Sequence, residues 1–188
     1  MFATEADLAA YLRVDPFTGP DLAAATLALE IASSVVTDRT GQDFTVKVDD
    51  EITLPTNGDR VLRLPQRPVT AVGAITTRDR GSVATTTRTL NTEYEVSRDR
   101  LTWVGLGAGW PYEVTVTYSH GYADIPADVK GATLAVAAEF FDNPEGLSRS
   151  AIDDDNAQHE WADDSPAERM LKLVEARYRH VALTVQLR

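Results

Sequence analysis

Residues 114–141 read VTVTYSHGYADIPADVKGATLAVAAEFF, and the periodicity changes once within them. Val114, Val116 and Tyr118 alternate with threonines, the pattern of a half-buried strand over 114–118. Ser119-His120-Gly121 then reads as a turn. Asp124 and Pro126 read as a helix start, because aspartate caps free N–H groups and proline has no N–H to lose in the first turn. In the helix predicted over 126–141, Val129, Thr133, Val136 and Phe140 make one stripe, and Leu134, Ala137, Ala138 and Phe141 make another. Only Asp128, Lys130 and Glu139 are charged before Asp142. A helix with two apolar stripes needs cover on nearly all sides. The expectation is that the chain's own core covers one side and a neighbouring subunit the other.

Upstream lie two more helices. Thr4 and Asp7 form a T-x-x-D capping pattern ahead of Leu8, Tyr11 and Leu12, predicting a helix over 4–14. Asp21 reads as the cap of a second helix over 21–40, closed by Gly41. Its face is Leu22, Ala25, Leu29, Ala32 and Val36, widened by Leu27, Ile31 and Val35.

Over 44–118 the period becomes two. Runs at 44–48, 52–54, 61–64, 69–77, 83–88, 94–96, 101–104 and 114–118 are rich in Val, Thr and Ile and predict an antiparallel β-rich insert. Asn57-Gly58 predicts a hairpin, and Arg80-Gly81 and Ser97-Arg98-Asp99 predict further turns. Pro65 and Pro68 cannot donate to a ladder, so 64–69 is expected at an edge or crossover.

Beyond Phe141 the composition shifts. Residues 143–164 read as an acidic linker. From Asp142 to Ser165 there are eight carboxylates against Arg149 alone, which is seven of the chain's eleven excess negative charges. Ser165-Pro166-Ala167-Glu168 opens a final helix with Met170, Leu171, Val174 and Tyr178 as its apolar positions. At the end, Val181, Leu183, Val185 and Leu187 alternate before Arg188, about 26 Å of extended arm suited to adding to a sheet edge. The fold class is therefore α+β: N-terminal helices and the 126–141 helix form a body, a β-rich region is inserted, and a C-terminal helix and arm follow. The domain reading is 1–142, a linker over 143–164, and helix plus arm over 165–188.

With 188 residues and 43% hydrophobic content the chain can build a core without disulfide or metal support. The absence of cysteine excludes thiolate chemistry. Neither a signal peptide nor an apolar run of about 18 residues is evident, so no membrane partner is expected. A net charge of -11 disfavours gripping polyphosphate, because Lys and Arg drive most nucleic-acid affinity.

Catalytic signatures are weak. His120, His159 and His180 have no metal-ligand spacing. Gly105-Leu106-Gly107-Ala108-Gly109 is followed by Trp110-Pro111 and a strand rather than a helix, so it reads as a hairpin loop and not a dinucleotide fingerprint. Asp153-Asp154-Asp155 with Asp163-Asp164 lacks the glycine and final glutamate of a calcium loop and reads as solvated linker. Neither catalytic residues nor a cofactor is expected. Trp103, Trp110 and Tyr112 read as ordinary packing, the tryptophans as core. Arg67 between two prolines sits on a stiff edge suited to an inter-subunit salt bridge.

Three features together carry a resemblance. They are the two N-terminal helices, the pattern L-P-x-R-P-V (Leu64, Pro65, Arg67, Pro68, Val69), and V-T-V-T-Y-x-H-G-Y followed by I-P-x-D-V-K-x-A (Ile125, Pro126, Asp128, Val129, Lys130, Ala132). In this order over about residues 2–142 the chain resembles the head-to-tail adaptor, or head-completion, proteins of long-tailed double-stranded DNA phages. The resemblance implies a structural virion protein made in the host cytoplasm and placed at the head–tail junction. It implies a ring, commonly of twelve copies, docked under the portal protein, lining the DNA channel and presenting a platform to the next neck or tail protein. It implies a portal-binding arm at Val181, Leu183, Val185, Leu187 and Arg188. The ring interface would involve Val129, Val136, Phe140 and Arg67. Double-stranded DNA would pass without tight binding. The alternatives are another neck ring, a stopper or tail terminator, or a metal-binding enzyme or ligand-binding module using the acidic loop.

Overall fold

The computed structural model describes residues 1–107, 109–142 and 165–179. It is α+β, with N-terminal helices, an inserted antiparallel β-region and a C-terminal helix. Two compact units are present: a helical unit of Met1–Gln42 with Asp124–Arg188, and a β-unit of Asp43–Ala123.

The helical unit contains α1 (Glu5–Leu12), α2 (Gly19–Thr40), α3 (Ala127–Asp142) and α4 (Pro166–Tyr178). The Thr4–Asp7 box forms as its spacing predicts: the Asp7 amide donates to Thr4 Oγ1 at 3.2 Å and the Thr4 amide to Asp7 Oδ2 at 3.0 Å. α2 starts two residues before the predicted cap. Thr18 is its N-cap, Pro20 lies in the first turn, and Asp21 sits inside that turn, where a carboxylate favours the positive helix end. Gly41 closes α2 at φ 67, a left-handed geometry that glycine adopts without a Cβ clash. α3 starts at Ala127, with the Lys130 amide bonded to the Pro126 carbonyl, so Asp124 lies too far upstream to cap it. α3 packs against α1, α2 and α4, and α4 gives the cover expected from a neighbouring subunit.

Charged contacts fix α4 at both ends. Ser165 caps it, accepting the Glu168 amide at 3.1 Å. The Glu168 carboxylate turns to Arg39 of α2 at 3.3 Å. At the other end Arg177 reaches Asp128 of α3 at 2.8 Å, and the Tyr178 hydroxyl donates to the same carboxylate at 3.1 Å. Gly131 permits a close crossing, since a Cβ there would stand 3.2 Å from Met170 Cε.

The β-unit contains β1 (Lys47–Pro55), β2 (Val61–Arg63), β3 (Val69–Arg78), β4 (Thr85–Thr87), β5 (Tyr94–Ser97), β6 (Arg100–Trp103) and β7 (Glu113–His120). They form two antiparallel sheets, ordered β1-β7-β3-β4 and β2-β6-β5. Leu64, Ile75, Tyr94, Leu101, Trp103, Trp110, Val114, Val116 and Tyr118 make their common core. The runs predicted at 44–48 and 52–54 meet in one strand that begins only at Lys47 and is bulged between Lys47 and Asp50, with Asp49 at φ 54.

Two turns differ from expectation. β1 pairs with β7 while β2 pairs with β6, so Asn57-Gly58 links two sheets and closes no hairpin. The 105–109 glycine run is likewise a crossover, from β6 to β7. The two turns lie back to back: the Trp110 amide donates to the Asp59 carbonyl at 3.0 Å, and a Cβ on Gly109 would fall 2.0 Å from the Gly58 oxygen. Residues 64–68 form a crossover as the prolines require, and the Arg67–Pro68 bond is cis.

Candidate assembly surfaces

His120 is the one histidine within the described residues. It is not in a turn: β7 continues through it, and its burial alternates with Val114, Val116 and Tyr118 on the inner face. The ring is fully buried, packs at a tilt against Tyr118 at 5.1 Å, and sets Nε2 3.1 Å from Asp50 Oδ2, which the β1 bulge delivers. Gly121 follows at φ 100, and a Cβ there would lie 2.1 Å from the Thr45 oxygen. Its amide donates to Pro68 and the next, Tyr122, to Phe44. The His-Gly pair is thus a strand terminus locked against two neighbouring segments, and a group with no exposure offers nothing to a substrate. Among the described residues, no group of three His, Cys, Asp or Glu is arranged to hold a metal. Asp153, Asp154, Asp155, Asp163, Asp164, His159 and His180 lie outside the described residues.

Apolar surface is found on a different helix from the one expected. Val129 and Val136 of α3 are fully buried in the isolated chain, and Phe140 is half-buried. α2 divides cleanly. Ala25, Ala28, Leu29, Ala32 and Val36 are buried, while the opposite stripe carries Ala23, exposed Leu27 (57%), half-buried Ile31 and exposed Ser34. These positions recur at three- and four-residue spacing and so form one continuous face. By length and composition alone α2 passes the test for a membrane-crossing helix, a test that the core helix of a bundle also passes. Nearby, Phe17 packs on Phe141 at 4.9 Å, and the two rings line a shallow groove with Val14 and Pro16.

In the β-unit the most exposed apolar residues sit at loop tips, beside exposed strand valines Val48, Val61 and Val96. Val83 is 96% exposed and Leu106 is 99% exposed. Each crowns a turn whose glycine sits at positive φ, Gly81 and Gly107. Arg67 is partly exposed and pairs with Asp99 at 3.6 Å in a groove shared with Arg63, Arg98 and Arg100. Trp103 and Trp110 are core, whereas Tyr112 is exposed with Arg80 over its ring.

Ionisable contacts reinforce the scaffold. A hydrogen bond from Lys130 at 2.7 Å, with help from Thr4, holds the Asp7 carboxyl down to about 2 and ties α1 to α3. Glu113 takes a two-pronged contact from its cross-strand partner Arg78, at 2.9 and 2.6 Å, which lowers its carboxyl below the ordinary range. Burial pushes the Tyr118 phenol up to about 12. The arm residues Val181, Leu183, Val185, Leu187 and Arg188, and the linker over 143–164, lie outside the described residues.

Neither a family model nor a curated protein matches the chain. Solved structures do. A chain in the neck of an empty GTA particle, computed with C6 symmetry, is 21% identical with a TM-score of 0.56, over 96% of this chain and 90% of that one. A chain in the virion of a native gene transfer agent (GTA) particle is 20% identical with a TM-score of 0.57, over the same shares. A chain in the neck of a native GTA particle, computed with C12 symmetry, is 20% identical with a TM-score of 0.50, over 85% and 83%. At these identities the likeness is one of fold.

Proposed function

We propose that the chain is a structural neck protein of a phage-like particle. It forms a ring by self-association, joins the portal protein to the next neck or tail protein, and surrounds the path of double-stranded DNA. The observation that carries this reading is the outer face of α2. Ala25, Leu29, Ala32 and Val36 of α2 already face the core of the helical unit, yet Leu27 and Ile31 lie on the opposite side of the helix. A ring of identical copies repeats such a modest contact at every junction, so weak faces add up to a firm assembly. The fold shared with chains in neck and virion structures of gene transfer agent particles supports the same reading.

In this scheme α2 is the lateral contact of the helical unit, joined by Phe140, with Val129 and Val136 supporting it from within the bundle; Arg67 of the β-unit makes a separate inter-subunit contact. Val181, Leu183, Val185, Leu187 and Arg188 form the arm that reaches the portal. Val83 and Leu106, at the loop tips, meet the following protein. The acidic balance of the chain keeps DNA sliding rather than held.

The experiment mixes purified chain with its portal protein and images the result by negative stain, alongside a chain lacking residues 181–188. Rings seated on portals are expected for the full chain, and loss of seating without loss of fold for the truncation. A chain that stays monomeric and ignores portal overturns the reading. Rings that ignore portal but cap tails point instead to a tail terminator.

A further inference from the structure

The β-unit holds a cationic groove of which the ring scheme uses Arg67 alone. Arg63 of β2 stands directly opposite Arg100 of β6, and both are exposed. The two-residue β5–β6 turn adds Arg98 at φ 57, and the β2–β3 crossover adds Arg67. Ser97 and Asp99 complete the lining. Asp99 is the one carboxylate there, and it faces Arg67. Among the described residues Arg63, Arg98 and Arg100 form no ion pair. Like charges directly opposite each other weaken a strand pair, so the isolated sheet bears a strain that an added anion relieves.

We infer that this groove is a docking site for a carboxylate-rich segment of a second copy of the chain, the acidic stretch over 142–165. Charge complementarity selects that occupant. Four arginines against one aspartate meet eight carboxylates against one arginine, both within a single sequence. Guanidinium forks match carboxylates two-pronged, and Asp99 beside Arg67 is a carboxylate already seated in this groove. Phosphodiester is the poorer match. Outside the β-unit the chain carries nine cationic and nineteen anionic side chains, a net -10 that repels a nucleic-acid backbone at range. The acidic stretch instead arrives on every copy, at high effective concentration once copies gather. Exposed ion pairs are individually weak, so the contact is a fastening of assembled copies rather than a cause of dimers in dilute solution.

The test uses a labelled synthetic peptide of residues 142–165. The receptor is the full chain with Asp153, Asp154, Asp155, Asp163 and Asp164 all changed to Asn, so that its own stretch does not compete. Fluorescence anisotropy at low salt is expected to show saturable binding. It should weaken about tenfold at about 0.3 M salt, as screened surface charges do. Arg63→Gln with Arg100→Gln in the same receptor should weaken it at least about tenfold. The control Arg13→Gln, in the helical unit, should not. The paired substitution removes the like-charge repulsion, so its melting temperature should hold or rise, which separates lost docking from lost fold. Absence of saturable binding, or binding indifferent to the paired substitution, overturns the inference. A double-stranded DNA oligonucleotide that binds more tightly than the peptide, and is lost in the same variant, overturns it in favour of a phosphodiester site. The measurement needs isolated protein only, so its failure leaves the neck reading, tested on portals, where it stood.

Discussion

In the helical unit alanine is the commonest buried residue, with Ala25, Ala28 and Ala32 of α2 and Ala132, Ala135, Ala137 and Ala138 of α3, whereas in the β-unit the buried positions include Tyr94, Trp103, Trp110 and Tyr118. The charges divide as unevenly. The β-unit has nine cationic and ten anionic side chains, a net -1, against the -10 of the rest. Small side chains let helix backbones approach closely, so the helical unit gains stability from many shallow contacts. Large aromatics let two short sheets enclose a core despite bulges and three-residue strands. Among the described residues the first arrangement leaves the outer side of α2 exposed, and the second leaves loop tips, a few strand valines and an arginine groove. One chain thus offers two unlike surfaces.

Different injuries should therefore hurt the two units. Trp110 fills the crossover between the sheets, with its indole N–H donating to the Leu101 carbonyl at 3.3 Å. Trp110→Ala should cost about 3–5 kcal/mol through the cavity it leaves, read as a lowered calorimetric melting temperature. The helical unit is sensitive to addition instead. Ala135→Leu forces methylenes between closely spaced helices and should cost about 1–3 kcal/mol. A Trp110→Ala loss smaller than that of Ala135→Leu would break the comparison.

Contact between α1 and α3 should give a smaller, pH-dependent effect. The folded carboxyl of Asp7 is held near 2, below its ordinary 3.8, by Lys130 and Thr4. A depressed acid binds fewer protons folded than unfolded, so its stabilisation is present above about pH 4 and is lost as the pH falls towards 2. Asp7→Asn should remove about 1 kcal/mol at neutral pH, after allowance for solvent screening. The gap between variant and parent, followed by urea melts, should close between pH 4 and 2. A gap that persists at pH 2 would assign the loss to packing.

How much was legible in sequence follows from how local each signal is. The Thr4–Asp7 box, the Ser165 cap, the Gly41 stop and the proline crossover each involve residues within a few positions, and each forms in the structure. The full reach of β7 was also there to read, because inward burial alternates from Val114 through His120. A histidine before a glycine imitates a turn, and that local resemblance masked the alternation. Asn57-Gly58 misled for the opposite reason: a turn dipeptide specifies the bend but not which strands pair on either side. The arginine groove gathers positions 63, 67, 98 and 100 from separate elements, which no spacing rule brings together. Hardest to read was which helix keeps a bare face. α2 and α3 both carry two apolar stripes, and only the way α4 packs across both leaves the outer side of α2 exposed at Leu27 among the described residues.

That assignment supports the prediction with the smallest effect on folding. Leu27 and Ile31 lie on the outer stripe of α2, so Leu27→Gln with Ile31→Gln keeps helix propensity and adds no buried polar group beneath. Its folding free energy should move by no more than about 0.5 kcal/mol each. Glutamine on the opposite stripe, at Ala28, has no room and should cost several times as much. Sedimentation in the presence of the portal protein then separates the roles of the two faces. If copies meet along α2, the Gln pair melts like the parent but no longer enters rings. If rings form unchanged, copies meet elsewhere, and the bare face of α2 belongs to another partner.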